Sequence, residues 1–252
     1  RSSKSILENC RKEIASIFKV SAAEIIFTSG GTEADNLILN SCVRDLKVTR
    51  IITSKIEHHA VLHAIEELSL NYNLNVNYVN LDANGMIDYN HLDKLLNDNS
   101  SKTLVSLMHV NNEIGNRIDL KKVADLCKEN NALFHSDTVQ SVGHYNLNFS
   151  EIPIDFAAVA AHKFHGPKGV GFAFIRKNSG LKPLIVGGQQ ERGLRAGTES
   201  VYAIAGLNKA LQISYSNLEK EMEYIKSIKN YFKDRLLQEI PNSKLNGYCG
   251  DD

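Results

Sequence analysis

Lys163 follows the apolar run Phe156-Ala-Ala-Val-Ala-Ala161 and precedes a Gly166-Pro-Lys-Gly169 turn. A lysine set against apolar chain is expected to be desolvated, which lowers its pKa and suits attack on a carbonyl carbon. The competing reading is a surface lysine whose stem lies along apolar surface. Asp137 ends another apolar stretch, Ala132-Leu-Phe-His135, and Gln140 lies three residues on. A poorly solvated carboxylate needs a cationic or hydrogen-bonding partner. His58, placed at a strand end in Glu57-His-His59, offers a ring that could stack on a planar group, or could be an ordinary loop histidine. Ser29-Gly-Gly-Thr32 runs from a strand into a helix start, where bare backbone N–H groups, the helix dipole and the Thr32 hydroxyl would favour an anion. A tight turn with Thr32 as the cap would give the same local sequence.

Other chemistries are disfavoured. The phosphate-binding pattern G-x-x-x-x-G-K-S/T is absent, and Gly166–Gly171 is not G-x-G-x-x-G. His59 and His63 share a helix face, but without H-E-x-x-H or an evident third ligand no metal is expected. Cys10, Cys42, Cys127 and Cys249 form no C-x-x-C pair, and the first three sit in amphipathic helical patterns as small buried hydrophobes.

Five polar clusters each follow an expected strand: Thr28–Glu33, Glu57–His59, His109–Glu113, Ser136–Gln140 and His162–Gly169. Open α/β sheets bind ligands outside the carboxyl ends of their strands, so the five are expected to share one site. Strands are expected at 24–29, 50–54, 75–79, 103–110, 132–135, 156–159 and 171–176. Helices are expected at 32–44, 59–70, 91–96 and 119–129. Near-continuous apolar strands alternating with helices predict a mainly parallel, seven-stranded α/β sheet covered on both faces. From about 217 to 240 a long amphipathic helix carries Leu218, Met222, Ile225, Ile228, Phe232 and Leu236 on one stripe. It is ended by Pro241-Asn-Ser243, and Lys244–Gly247 hints at a strand. Residues 1–212 are therefore expected to form one domain and 213–252 the opening of a small, incomplete α+β domain.

The chain has 252 residues, and 29 Lys and Arg balance 29 Asp and Glu. Zero net charge without a basic stripe argues against nucleic acid or an anionic membrane as partner. The longest apolar runs fall well short of the roughly 18 residues that span a bilayer. With no signal-peptide pattern and no disulfide spacing, the expected location is the cytoplasm. Arg1 falls inside a helical pattern, so the sequence is expected to be part of a longer protein.

Six stretches, in order, carry a resemblance: Thr28-Ser-Gly-Gly-Thr-Glu-Ala-Asp-Asn36, Glu57-His-His-Ala-Val61, Met108-His-Val-Asn-Asn-Glu-Ile-Gly115, Asp137-Thr-Val-Gln-Ser141, His162-Lys-Phe-His-Gly-Pro-Lys-Gly169 and Glu191-Arg-Gly-Leu-Arg-Ala-Gly-Thr198. Together they resemble the pyridoxal-phosphate-dependent cysteine desulfurases, in the class V branch of fold-type-I aminotransferases, and in particular their iron–sulfur-cluster housekeeping group. The resemblance implies that Lys163 bonds the aldehyde of pyridoxal 5'-phosphate, that Asp137 pairs with the pyridinium nitrogen, that Gln140 meets the phenolic oxygen and that His58 stacks on the ring. It implies that Gly31, Thr32 and His162 hold the phosphate, that Asn112 lies near the substrate, and that Thr198 reaches the phosphate site of a neighbouring subunit in a homodimer. The implied reaction converts L-cysteine to L-alanine, with sulfur passing to an enzyme cysteine as persulfide and then to an iron–sulfur scaffold or other acceptor.

Two departures stand out. The resembling proteins usually have serine where this sequence has Ala160, which removes one phosphate hydrogen bond and is expected to weaken cofactor retention by about 1 kcal/mol. Their nucleophilic cysteine and substrate-carboxylate arginine lie in a C-terminal segment beyond this sequence. Cys249 lacks the serine-rich context of that nucleophile, so the 252 residues alone are expected to be inactive. Alternatives within the resemblance are a selenocysteine lyase, an aminotransferase, or an inactive cofactor-binding scaffold subunit.

Overall fold

The computed structural model describes residues 2–98 and 100–248. Seven strands, β1 (Ile25–Thr28), β2 (Arg50–Thr53), β3 (Asn75–Tyr78), β4 (Thr103–Ser106), β5 (Leu133–Asp137), β6 (Phe156–Ala160) and β7 (Gly171–Ile175), form one sheet in the order β1-β7-β6-β5-β4-β2-β3. Every pairing is parallel except the two made by β7, which runs against both β1 and β6. The mainly parallel α/β sheet expected from the apolar runs is the one found.

Seven helices surround it: α1 (Ser2–Ile17), α2 (Gly31–Arg44), α3 (His59–Asn71), α4 (Tyr89–Leu96), α5 (Leu120–Glu129), α6 (Val201–Ser216) and α7 (Leu218–Glu239). Leu37, Ile38, Cys42, Val61 and Leu68 of α2 and α3 pack on one sheet face with Leu104, Phe156 and Ala158. Leu7, Ile14, Val123, Leu207 and Leu211 of α1, α5 and α6 cover the other with Val105, Phe134 and Val159. Alternate residues of one strand thus enter different cores, as the period-two geometry of a strand requires. Caps set several helix starts. Asp88 accepts the Asn90 and His91 N–H groups at α4, and Asp119 accepts that of Lys122 at α5.

Several expected boundaries change. Glu24 belongs to a short 3₁₀ turn closed by a Ser21–Glu24 capping box rather than to β1. The strand expected through Val110 ends at Ser106. Leu107 and His109 still donate to β5, but Asn111 then turns the chain, its Oδ1 accepting the Glu113 and Ile114 N–H groups. Helix α6 had no counterpart among the expected elements, and it runs through residue 212 to Ser216. Residues 244–247 are not a strand: no described strand lies alongside to complete the hydrogen bonds. The long helix forms as α7, yet none of its residues is buried, and Ile225 and Phe232 are 57% and 65% exposed.

Candidate active site

A cavity of about 430 Å³ opens where β4, β5 and β6 end and α2 and α3 begin. Each of the five polar clusters sends residues into its wall: Gly31 and Thr32, then His58, then Asn112, then Asp137 and Gln140, then His162 and Lys163. Of the nine expected site residues, only Thr198 stands elsewhere. It is exposed beside a smaller cavity of about 150 Å³ lined by Thr28, Ser29, Gly169, Glu191 and Arg195.

The anion-binding wall is the start of α2. Its N-cap is Gly30, at φ 150°, and not Thr32, so no side chain covers the first turn. Gly30 N–H is turned to Thr28 Oγ1 and Ser29 N–H to Glu33 Oε2, while those of Gly31, Thr32 and Glu33 meet no acceptor among the described residues. Close packing demands the two key glycines. A Cβ on Gly31 would lie 2.6 Å from Val139 Cγ2, and one on Gly171 would lie 2.2 Å from Val159 O and 2.8 Å from Gly30 Cα. Arg195 grips Glu33 through two bonds of 2.8 and 3.1 Å, tying this turn to the segment that carries Thr198. Burial alone would raise the Glu33 pKa, but the Arg195 and Ser29 bonds hold it below the usual carboxylate range.

Opposite stands Asp137, 5% exposed at the end of β5. One oxygen accepts the Val139 N–H at 2.9 Å. Burial first, and then the nearby Asp35 carboxyl, push its pKa up to about 7. A carboxyl buried this far is favoured as its anion only by a facing cation or further hydrogen bonds. His58 is the N-cap of α3 rather than the last residue of a strand. Its Nδ1 accepts the Ala60 N–H at 3.1 Å, which leaves the proton on Nε2 and fixes the ring's tilt. Gln140 is half-buried at the wall, whereas Asn112 is exposed and donates to Glu113 Oε1 at 2.6 Å.

Of the two readings of Lys163, the surface one is found. It is exposed, and among the described residues its Nζ makes no hydrogen bond or ion pair. The apolar run that suggested burial is β6, inside the sheet. The lysine comes three residues beyond, on a 3₁₀ turn at the mouth of an open cavity. Neighbouring His162 has its pKa lowered by partial burial and then by the positive charges of Lys163 and Lys168.

Sequence reading gave no role to three groups that build the site. Glu57, 6% exposed, accepts the Met108 N–H and the Ser54 hydroxyl, and so fastens the turn bearing His58 to the one bearing Asn112. Asp35, 1% exposed, lines the cavity from α2. Its signal was a carboxylate at the i−3 and i−7 positions of the apolar stripe Ile38–Cys42. Arg11 and Glu191 pair at 2.7 Å across the edge of the sheet, and no local pattern betrays them.

These buried groups make stability depend on pH. Burial raises Glu57 to about 8 and Asp137 to about 7, and it lowers His109 and His135 to about 4. Above the usual carboxylate pKa of ~4 and up to the folded values, the folded chain keeps protons that the unfolded chain has released, so stability falls as pH rises. The two histidines work the other way from about pH 4 to ~6.5, where only the unfolded chain is protonated there. Between about pH 6.5 and 8 the carboxyl effect acts alone, and the ligand-free protein is expected to lose about 1–3 kcal/mol in urea unfolding across it. Glu57→Gln should flatten that slope; a stability that rises over the interval contradicts the account.

The described residues contain no group of three or more His, Cys, Asp and Glu placed to hold a metal ion, and no helix long and apolar enough to cross a membrane. Comparison with known proteins gives the family. The chain is 40% identical over 252 residues to a cysteine desulfurase IscS from Dictyoglomus turgidum, covering 98% of this chain and 62% of that protein. A NifS-like protein of known structure superposes with a TM-score of 0.90 at 36% identity, covering 94% of this chain and 65% of its own. The structure of SspA in complex with cysteine matches at 0.78 and 32%, covering 84% and 61%. The chain thus spans about three-fifths of the length of the curated relatives it matches, 62% and 59% of two of them. Because the aminotransferase class-V model matches residues 1–250, and the sheet, the open helix start and the lysine-bearing turn all fall within that span, the chain belongs to the class-V aminotransferases, pyridoxal-phosphate-dependent enzymes of fold type I.

Proposed function

We propose that this chain is the cofactor-binding part of a cysteine desulfurase, which converts L-cysteine to L-alanine and passes the sulfur on. The observation that carries the reading is the convergence of all five clusters on one cavity. The residues present fit pyridoxal 5'-phosphate. The uncovered first turn of α2 suits the phosphate, with Gly31, Thr32 and His162 around it, and Asp137 lacks the cation that a pyridinium would supply.

When bound, the cofactor supplies an electron-poor ring that draws electrons from the bonds of an attached amino acid. The chain's own groups do the rest. Asp137 keeps a negative charge where the ring nitrogen must stay protonated. His58, fixed by its bond to Ala60 N–H, would offer a flat ring for stacking. Gln140, at the cavity wall, would offer its amide to the phenolic oxygen, and Asn112 would face the substrate from the rim. Lys163 Nζ would hold the cofactor and, when free, would take and return protons at the substrate.

The described cysteines do not suit the receipt of sulfur. Cys10, Cys42 and Cys127 are buried, and burial raises all three thiol pKa values. Cys249 lies outside the described residues. We place the accepting cysteine in the part of the relatives' length that this chain does not cover, with an iron–sulfur scaffold or another sulfur acceptor downstream and the cytoplasm as the setting. A homodimer is supported by Thr198, which stands apart from its own chain's cavity, and by the exposed Tyr202 and Val186 nearby, 84% and 78% exposed. The division between the cofactor domain and a second one falls at Asn217, where α6 gives way to the unburied α7.

The test is chemical. The full-length protein should be yellow with cofactor, borohydride should fix the cofactor to the peptide containing Lys163, and L-cysteine should release sulfide. Failure of borohydride to label that peptide sinks the reading. Ala160, whose methyl faces the cavity, supplies a graded check. Ala160→Ser adds a hydroxyl donor and is expected to tighten cofactor binding by about 1 kcal/mol, roughly fivefold in Kd by titration of the apoprotein. Unchanged affinity would remove Ala160 from the phosphate site.

A further inference from the structure

Behind Asp137 lies a second carboxyl that the proposed mechanism does not use. Asp35 stands one turn into α2 and lines the cavity, yet neither of its oxygens has a hydrogen-bond partner. Its Oδ1 is 3.3 Å from His135 Nε2, which is equally unpartnered, and His135 Nδ1 is 2.9 Å from Ser106 Oγ. Strand register builds this row. Ser106 of β4 pairs with His135 of β5, and Asp137 follows His135 on the face that α2 covers. All of Asp35, His135 and Ser106 are 1% exposed or less.

Charge is the difficulty. Asp35, Asp137 and Glu57 are three buried carboxyls within electrostatic reach of one another. The groups that could offset them are His135 from β5, His58 from the start of α3, and His162 and Lys163 from the turn after β6. One pyridinium cation offsets one carboxylate, and a second uncompensated charge in this interior is prohibitive. Two placements of a single proton satisfy the row: a carboxylate facing an imidazolium, or a carboxylic acid facing a neutral ring. Burial raises Asp35 well above its ordinary range and lowers His135 to about 4, and both directions put the proton on the acid.

We propose that Asp35 is held as a neutral carboxylic acid, donating from Oδ1 to His135 Nε2 while His135 Nδ1–H donates to Ser106 Oγ, so that Asp137 alone presents negative charge to the cofactor ring. Asp35 thus takes no part in the chemistry; it only stays uncharged beside Asp137. The inference rests on the cofactor reading for its consequence but not for its protonation claim, and the two separate in experiment.

An amide is the neutral mimic of a carboxylic acid, so the two buried aspartates should respond oppositely to the same change. In the full-length holoenzyme, Asp35→Asn is expected to keep cofactor affinity and sulfide release within roughly threefold of the parent, while Asp137→Asn loses about 100-fold or more in activity. Infrared difference spectra at neutral pH, parent minus Asp35→Asn, should show the loss of a deuterium-sensitive carboxylic-acid C=O band, with or without cofactor. The Glu57→Gln difference must leave that band in place. Loss of a carboxylate band instead, or an Asp35→Asn defect as large as that of Asp137→Asn, overturns the proposal. If borohydride fixes nothing to the parent protein, the cofactor reading fails, and the infrared result still decides the state of Asp35.

Discussion

If the proposed activity holds, Lys163→Ala in the full-length protein is expected to bind pyridoxal phosphate reversibly, to resist fixing by borohydride, and to release sulfide from L-cysteine about 10⁴-fold or more slowly than the full-length parent. The size of the effect follows from one amine having two roles: it holds the cofactor, and it moves the substrate's proton. The variant should nonetheless fold normally. The turn that carries Lys163 is anchored by Phe164, 1% exposed, and by the Lys163 backbone oxygen, which bonds the His144 ring at 2.9 Å. Neither anchor involves the lysine side chain, and its exposed Nζ has no partner among the described residues, so the change in stability should stay within about 0.5 kcal/mol. Cofactor should still dock, because the open N–H groups of α2, the Asp137 carboxyl and the His58 ring are untouched. Mass analysis after reduction and a sulfide assay check both halves. Equal labelling of parent and variant would show that another group bonds the cofactor.

What made this site legible was position rather than motif strength. A polar residue at the end of an apolar strand needs a reason to be there, and parallel strands deliver such residues to one edge. Asp137 and Lys163 were found in that way. The degree of burial was not legible for Lys163, because an apolar run records the inside of the sheet and not the openness of the cavity beyond it. Asp35 was hidden by its helix: a single acid among Ala34, Leu37 and Ile38 reads as one turn of a solvent face until β5 is seen to bring His135 beneath it. Helix α6 was missed for the opposite reason. Val201, Ala203, Ile204, Ala205, Leu207, Ala210, Leu211 and Ile213 spread apolar residues widely around the axis, so no single stripe emerges. In α7 the helix was read correctly, but periodicity specifies a face and says nothing of what covers it.

The least legible contact carries the largest expected effect on stability. Arg11 of α1 and Glu191 are 180 residues apart, and both are almost wholly buried. Their two parallel bonds of 2.7 and 2.8 Å are only part of the arrangement. Strand β1 is the edge of the sheet, paired on one side alone, so its outward backbone groups need partners. Arg11 Nη1 donates to Ile25 O at 2.6 Å, and Glu191 Oε2 accepts the Phe27 N–H at 2.8 Å. The ion pair therefore takes the place of a further strand. It also holds Glu191 and Arg192 at φ 47° and 56°, left-handed values that cost non-glycine residues about 1–3 kcal/mol each. Glu191→Gln leaves the buried guanidinium with only the part-exposed Glu8 carboxylate, 3.2 Å from its Nε, as an anion, and is expected to cost about 3–5 kcal/mol in urea denaturation, a large share of a typical 5–15 kcal/mol. Arg11→Met strands the opposite charge and should cost about as much. The double variant should lose clearly less than the sum of the two, because no unpaired charge remains, yet it should not recover fully. Ile25 O stays uncovered, at about 1–3 kcal/mol, while the amide oxygen introduced at position 191 can still accept the Phe27 N–H. A double-mutant cycle measures the difference directly. If the two losses simply add, the pair is not one unit, and the segment that carries Thr198 is held by other means.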